Sequence, residues 1–316
     1  MKTTIQDHKN RVIGSYEGSP NGTLCIVFGA MHGNEPAGVK ALELIFKMIE
    51  VEPITNPKFQ FRGRLIGIKG HLSAYEKGLR FINRDLNRLW TDENMSAIVN
   101  NDHDQNDPEL NELQAIYALI QAEINEYRPT RIVIMDIHTT SADGGIFAIP
   151  SETTESIEIA KQLNVPVVKG LLNGLKGTSL HYFNTQNLGI STAALCFEAG
   201  QHDDPLSINR AIAGIINLLK SVDCINAEDA ENQHNKILKA YSKGLPSATE
   251  LIHCHKIKEG DAFEMRPNYR NFQALTKGEI IADDKHGSIA VSENCFILMP
   301  LYQTKGEDGF FLVKAV

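Results

Sequence analysis

The chain has 316 residues, of which 42% are hydrophobic, so it can bury a full core in one large domain or two. Its formal net charge of −8, without a basic stripe, argues against nucleic-acid or anionic-membrane partners. The five scattered cysteines form no C-x-x-C pair, and the sequence contains no apolar leader and no bilayer-length apolar run, so we expect a soluble cytoplasmic protein with reduced thiols.

Residues 24–38, LCIVFGAMHGNEPAG, predict a buried strand, a tight turn and the start of a helix. The i, i+3 spacing of His32 and Glu35 predicts that both lie on one face of the first helical turn, with Pro36 just inside the helix. Open α/β sheets place ligand sites at such strand ends. By itself the His-x-x-Glu pair is a weak signal, because it also occurs as a surface salt link on many helices.

The following segments continue this alternation of strands and helices. Apolar spacing predicts a helix over Ala37–Ile49, a strand over Arg64–Ile68 and a helix over Glu109–Tyr127. Between the last two, Thr91–Pro108 is polar and acidic, which predicts an exposed loop with His103 as a surface histidine.

A charged run, RFINRDLNR, occupies residues 80–88 after the second strand. Such a run is usually a solvated loop containing ion pairs. Arginine and asparagine after a strand are also the donors expected to hold a planar carboxylate. The pattern leaves both interpretations open for Arg80, Asn87 and Arg88.

A further apolar run, Ile132–Met135, predicts a central parallel strand that ends in Asp136 and His138. Residues two apart on a strand point the same way, so we expect Asp136 to orient the imidazole without binding metal itself. With His32 and Glu35, His138 completes a set of two nitrogens and one carboxylate. A closed structural zinc site would have four ligands and usually sulfur, so this set predicts a catalytic site with one position for water.

The apolar run Thr192–Phe197 ends at Glu198, before Ala and Gly. A glutamate buried at a strand end is costly unless it has a partner or a function. Glu198 is therefore a candidate general base and acid, and a structural partner for an arginine is the alternative.

The last part of the chain has a different pattern. The polar segment Asn226–Lys243 leads to a Gly-Leu-Pro junction, and the short apolar runs beyond it alternate with Gly and Asp turns. This pattern predicts an α/β catalytic domain at residues 1–243 and a small all-β domain at 244–316. His253 and His255 lie two apart on a predicted strand without a third ligand nearby, so we do not expect them to bind metal.

Four motifs in order, GAMHGNEPAG, RFINRDLNR, DIHTTS and FEAGQ, resemble the succinylglutamate desuccinylase/aspartoacylase family, M14-like relatives of the zinc carboxypeptidases. The resemblance implies a zinc-carboxypeptidase-like mixed central sheet flanked by helices, with a small C-terminal β domain at the mouth of the site. It also implies one Zn²⁺ per chain, held by His32, Glu35 and His138, with Glu198 as the general base and acid.

The resemblance also implies roles for the other candidates. Arg80 matches the arginine that polarises the scissile carbonyl, and Asn87 and Arg88 match the pair that grips a substrate carboxylate. Tyr302 is a weaker candidate, for which a core aromatic is the alternative. Relatives that hydrolyse acetylaspartate have a further arginine before the catalytic glutamate, whereas residues 164–198 contain none, so recognition of a second carboxylate is in doubt.

Together these patterns predict a zinc-dependent hydrolase that cleaves the linear amide bond of an N-acyl amino acid or a similar small molecule. Zinc-activated water would attack the carbonyl, Arg80 would stabilise the oxyanion, and Glu198 would pass a proton to the leaving amine. A metallocarboxypeptidase for short peptides and a non-catalytic zinc-containing binding protein remain alternatives. The acyl group, the amine and homo-oligomer formation are left open.

Overall fold

The structure, a computed structural model, describes residues 10–228 and 233–316. The strands are β1 (Val12–Glu17), β2 (Thr23–Gly29), β3 (Arg64–Lys69), β4 (Arg131–Thr140), β5 (Phe147–Pro150), β6 (Val167–Lys169), β7 (Thr192–Gln201), β8 (Ala248–Lys256), β9 (Glu264–Met265), β10 (Gln273–Leu275), β11 (Ile280–Asp284), β12 (Gly287–Ala290), β13 (Cys295–Leu298) and β14 (Asp308–Ala315). The helices are α1 (Ala37–Thr55), α2 (Leu72–Lys77), α3 (Asp92–Val99), α4 (Pro108–Tyr127), α5 (Thr154–Gln162), α6 (Ser179–Tyr182), α7 (Thr185–Leu188), α8 (Leu206–Ser221) and α9 (Gln233–Tyr241), with short 3₁₀ turns at Leu86–Arg88 and Leu171–Gly174.

Eleven of the described strands form one mixed sheet in the order β1-β3-β2-β4-β7-β5-β6-β8-β14-β13-β10. Its centre is parallel, because β3, β2, β4 and β7 pair in parallel. Strands β1 and β5 run antiparallel to β3 and β7. The predicted mixed α/β sheet is therefore confirmed, and the carboxyl ends of β2, β4 and β7 meet at one edge.

Helices cover both faces of this sheet and form two cores. On β2, Cys25 and Val27 face a core shared with α1, α5 and α8, whereas Leu24, Ile26 and Phe28 face a core shared with α3 and α4. All five side chains are fully buried. A strand covered on both faces has no solvent side, which explains why β2 reads as a continuous apolar run.

The predicted strand Arg64–Ile68 corresponds to β3, and the predicted helix Glu109–Tyr127 corresponds to α4. Helix α1 extends beyond its predicted end at Ile49 to Thr55. The apolar residues Leu44 and Met48 of α1 are 42% and 44% exposed, so the buried stripe of this helix is narrower than its apolar composition suggests.

The prediction of a loop over Thr91–Pro108 was wrong, because this segment contains α3. The Thr91 side chain accepts a hydrogen bond from Asn94 N (3.3 Å) and caps the helix, while Met95 and Ile98 are buried. Two buried apolar residues in a polar segment are too few for the sequence pattern to indicate a helix.

His103 is also buried, contrary to its predicted surface position. Its Nε2 contacts the Gln105 and Asn111 side chains at 3.1 and 3.4 Å. These local amide contacts satisfy Nε2, whereas the buried Nδ1 has no hydrogen-bond partner within the described chain.

The C-terminal region has only β elements beyond α9 in the described chain, as predicted. Strand β8 pairs in parallel with β6, so β8, β14, β13 and β10 extend the central sheet. Strands β9, β11 and β12 form a separate antiparallel sheet. The domain boundary between residues 243 and 244 stays a prediction. Among the described helices, none combines the length and apolar character needed to cross a bilayer.

Candidate active site

His32 and Glu35 lie in the turn between β2 and α1. Helix α1 begins at Ala37, with Pro36 at its N-cap, so the prediction that the histidine and glutamate belong to the first helical turn was wrong. Glu35 N donates to His32 O (3.0 Å) and closes a tight turn. This turn also brings i and i+3 side chains together, and His32 Nδ1 lies 2.9 Å from Glu35 Oε1.

Two glycines of this motif allow the backbone to pack closely. A Cβ atom on Gly29 would lie 2.5 Å from Val39 N, and one on Gly33 would lie 2.3 Å from the backbone carbon of Ala74. Gly33 N donates to Arg80 O (3.1 Å), which joins this turn to the charged run. Larger residues at these positions would push the two segments apart.

His32, Glu35 and His138 offer ligand atoms that all lie within 4.8 Å of one another. His138 is on β4, and its Nδ1 lies 3.2 Å from Glu35 Oε2. Thr139 N donates to the same carboxylate oxygen (2.9 Å) and holds it in position. All three candidate ligands are buried, and their donor set suits Zn²⁺.

Each imidazole has an aspartate at its other nitrogen. Asp85 Oδ1 lies 3.0 Å from His32 Nε2, and Asp136 Oδ2 lies 3.1 Å from His138 Nε2. The predicted contact between Asp136 and His138 is confirmed. Both Nδ1 atoms thus face Glu35, an arrangement that fixes the tautomer of metal-binding histidines.

The two carboxylates nearest the histidines are held in their ionised form. Burial acts to raise the pKa of Glu35, but His32 and His138 outweigh it and hold that pKa well below its ordinary value. Burial likewise opposes ionisation of Asp85, and His32 and Arg80 together hold its pKa well below the usual range. Glu35 is therefore in the deprotonated form that metal binding requires.

Arg80 extends from the charged run toward the cluster. Its Nη2 donates to Asp85 Oδ2 (3.1 Å). The loop is fixed by the fully buried Glu109 of α4, whose Oε1 accepts hydrogen bonds from Ile82 N (2.9 Å) and Asn83 N (2.8 Å). In the sequence, Glu109 is recognisable only as the start of a helix, and no local pattern indicates this positioning role.

Glu198 lies near the end of β7, directly opposite His138 in the β4–β7 register. It is only 6% exposed, and its Oε2 has no hydrogen-bond partner within the described chain. Cys196 Sγ, 3.9 Å from Oε1, is a weak donor. Burial raises the pKa of Glu198 to about 7, with a smaller opposing effect from His138. This environment is suited to a group that exchanges protons near neutral pH.

One pocket contains all the predicted site residues, which are His32, Glu35, Arg80, Asn87, Arg88, His138 and Glu198. About half of its other lining residues are apolar, and these include Ile149, Leu171, Leu172, Leu175, Leu180, Met299, Leu301 and Phe311. The charged end is therefore suited to the reacting bond, and the apolar wall is suited to hydrocarbon.

Asn87 and Arg88 are both engaged by the chain itself. Asn87 Oδ1 accepts from Ser179 N (2.8 Å). Arg88 Nη1 donates to Asn87 O (2.8 Å), and its Nη2 donates to Asp308 Oδ2 (2.7 Å). Asp308 begins β14, far from the arginine in the sequence, and no sequence signal indicated this pair.

Tyr302 lies outside this pocket and is 38% exposed, so it is neither a core aromatic nor part of the pocket lining. Its hydroxyl donates to Arg266 O (2.8 Å) and accepts from Tyr269 N (2.8 Å). His253 and His255 lie on β8 beside the Phe310 ring.

The fold and the buried cluster define an α/β protein with a candidate metal site at the carboxyl edge of a mixed sheet. A profile of the succinylglutamate desuccinylase/aspartoacylase catalytic domain matches residues 21–222. The chain therefore belongs to the succinylglutamate desuccinylase/aspartoacylase family.

Individual relatives agree with this assignment. An aspartoacylase from Danio rerio is 30% identical over 146 residues, which span 41% of this chain and 38% of that protein. Solved structures of succinylglutamate desuccinylases from Vibrio parahaemolyticus and Chromobacterium violaceum have TM-scores of 0.62 and 0.61, at 17% and 18% identity. The alignments cover 95% and 99% of this chain and 82% and 96% of those chains, and they show the shared fold.

We expect Glu198→Gln to stabilise the metal-free protein at alkaline pH. The folded-state pKa of about 7 exceeds the ordinary value of 4.5. Ionisation therefore removes stability as the pH rises from 4.5 through 7, and the full loss is on the order of 3 kcal/mol. Urea denaturation with chelator present should show a stability gain for the variant that is about 2 kcal/mol larger at pH 8 than at pH 5. An equal gain in unfolding free energy at pH 5 and pH 8 would contradict the raised pKa of Glu198.

Proposed function

We propose that the protein is a zinc-dependent deacylase that hydrolyses the linear amide bond of an N-acyl amino acid or a similar small molecule. The observation that carries this proposal is the buried Glu198 carboxylate, whose Oε2 finds no partner in the described chain, in the same pocket as the His32, Glu35 and His138 cluster. Such a carboxylate costs stability, which supports a chemical role over a structural one. The family assignment supports the same class of reaction.

His32, Glu35 and His138 would hold the zinc ion. Two nitrogens and one carboxylate leave a coordination position for water or substrate. When bound, zinc supplies Lewis acidity and lowers the pKa of water. Asp85 and Asp136 would keep both imidazole rings oriented toward the ion through their hydrogen bonds to Nε2.

The side chains around the cluster can perform the proton and charge transfers of amide hydrolysis. With a pKa of about 7, Glu198 can accept the proton of the attacking water and return it to the leaving nitrogen. Arg80 can donate hydrogen bonds to the carbonyl oxygen as negative charge develops on it. Asn87 and Arg88 would contact the part of the substrate beyond the amide.

The contacts of Arg88 weigh against the carboxypeptidase alternative. A carboxypeptidase requires a cation that is available to the C-terminal carboxylate of its peptide, whereas Arg88 already pairs with Asp308. An N-acyl amino acid has the same carboxylate, but a deacylase can also act on similar small amides that lack it. The solvent-isolated Glu198 favours turnover over a purely binding role. The free thiols of the five cysteines support our proposal of a cytoplasmic location.

We expect wild-type protein to bind about one zinc ion per chain, and His32→Ala or His138→Ala to abolish binding. The reason is that two remaining protein ligands are too few for a stable site. Metal content after dialysis, measured by inductively coupled plasma mass spectrometry, tests this. The exposed His253 provides a control, because His253→Ala should retain zinc. Full occupancy in both cluster variants would refute the ligand assignment.

We expect Glu198→Gln to keep zinc and fold but to lose on the order of a hundredfold or more in kcat. The assay follows amine release from a panel of N-acetyl, N-succinyl and longer-chain N-acyl compounds. Glu158→Gln, at an exposed position of α5, is the matched control and should turn over normally. Turnover of the Glu198 variant near the wild-type rate would mean that another group moves the proton.

A further inference from the structure

The pocket contains its own carboxylate at the position where a substrate carboxylate was expected to bind. Arg88 Nη2 donates to Asp308 Oδ2 (2.7 Å), and its Nε lies 4.0 Å from Glu307 Oε2. Its Nη1 donates to the Asn87 carbonyl. The Arg88 side chain is 17% exposed and that of Asp308 is 8% exposed, so solvent screens this pair weakly.

Asp308 is fixed by contacts to both of its oxygens. It pairs with Lys256 in the register of β14 and β8, and Lys256 Nζ donates to Oδ1 while Arg88 binds Oδ2. Cys254 Sγ also contacts Oδ1 (3.6 Å). Moving Asp308 away would break its buried pair with Arg88 and its contact with the half-exposed Lys256, so a substrate carboxylate must compete with Asp308 for Arg88.

Arg88 is equally restricted on its backbone side. Gly177 has a φ of +63°, and a Cβ atom there would lie 2.3 Å from the Arg88 carbonyl oxygen. Trp90 N donates to Gly177 O (3.0 Å), so the two segments are bound together. This close packing fixes the backbone position from which the Arg88 side chain extends toward Asp308.

Among the described residues that line the pocket, Arg80 and Arg88 are the only arginines, and there is no lysine. Arg80 cannot replace Arg88, because it is paired with Asp85 and Glu35. Lys176 is exposed and does not line the pocket. The His181 ring is engaged by Thr178 Oγ1 (2.7 Å) and Leu172 O (3.2 Å). Each of the two guanidinium groups in the pocket is therefore already paired with a carboxylate, and only the buried Nε of each lacks a hydrogen-bond partner within the described chain.

We propose that Asp308 determines specificity by occupying Arg88, so that the enzyme prefers N-acyl amines with an uncharged, apolar amine part over N-acyl amino acids. This inference rests on the proposed deacylase function and names its substrate class. Asp308 does not touch the reacting bond. It acts by keeping Arg88 from binding a carboxylate.

A matched pair of substrates tests this inference, namely an N-acyl-leucine and the corresponding N-acyl-3-methylbutylamine, which lacks only the carboxylate. Wild-type kcat/KM should be at least about tenfold higher for the amine derivative. Asp308→Asn should raise kcat/KM for acyl-leucine about ten- to hundredfold, because Arg88 becomes available for a charge-assisted hydrogen bond to the carboxylate. The same substitution should change kcat/KM for the amine derivative less than about threefold. Asp92→Asn, the same charge change at an exposed position of α3, should leave both values unchanged.

A binding measurement tests this inference independently of the proposed deacylase function. Calorimetric titration of zinc-loaded protein with 4-methylpentanoate and its amide should show the carboxylate bound about tenfold more tightly by Asp308→Asn than by wild type, with the amide unchanged. This result supports competition between Asp308 and a ligand carboxylate for Arg88, even if no substrate is hydrolysed. A lack of hydrolysis would refute only the deacylase proposal. A carboxylate-to-amide ratio that is the same in both proteins overturns the inference. If Asp308→Asn does not fold, the wild-type protein alone decides. A higher kcat/KM for acyl-leucine than for the amine derivative overturns the inference, and a higher kcat/KM for the amine derivative supports it.

Discussion

The parallel register of β2, β4 and β7 is the constraint on which the site depends. It places Gly29 opposite Ile137 and His138 opposite Glu198, so that three chain segments deliver their polar groups to one edge. A slip of one residue in either ladder would turn the polar side chains to the opposite face of the sheet. The continuous apolar core on both faces opposes such a slip, because it would expose or misplace several buried side chains.

The second feature of the site is the distribution of its buried charges. Asp85 and Asp136 satisfy the outer nitrogens of two histidines, and Glu109 satisfies backbone donors of the loop that carries Arg80. Each of these carboxylates has partners that lower the cost of its burial. Glu109 and Asp136 also have one oxygen without a partner, but their other oxygen is held by nitrogen or hydroxyl groups. Glu198 differs, because its Oε2 has no partner and its Oε1 has only the weak Cys196 thiol at 3.9 Å within the described ranges, and this difference is the physical basis for assigning it a chemical role.

Much of the fold and the candidate cluster could be predicted because their signals are local. Apolar runs indicated the central strands, and the polar residues that end them indicated the candidate site. The partners of these residues could not be predicted in the same way. Asp85 lies 53 positions from His32, and Asp308 lies 220 positions from Arg88. Both pairs exist only after the sheet has formed. Helix α3 was missed because a polar segment with two buried residues has almost no periodic signal.

The most direct test of this account is a crystal structure of zinc-loaded protein with diffraction data collected on both sides of the zinc absorption edge. We expect one strong anomalous peak, about 2.0–2.2 Å from His32 Nδ1, His138 Nδ1 and a Glu35 carboxylate oxygen. Asp85 and Asp136 should remain hydrogen-bonded to the Nε2 atoms, and Glu198 should stay outside the coordination sphere. A principal peak elsewhere, for example beside His253 and His255, or zinc bound directly by Glu198, would contradict it.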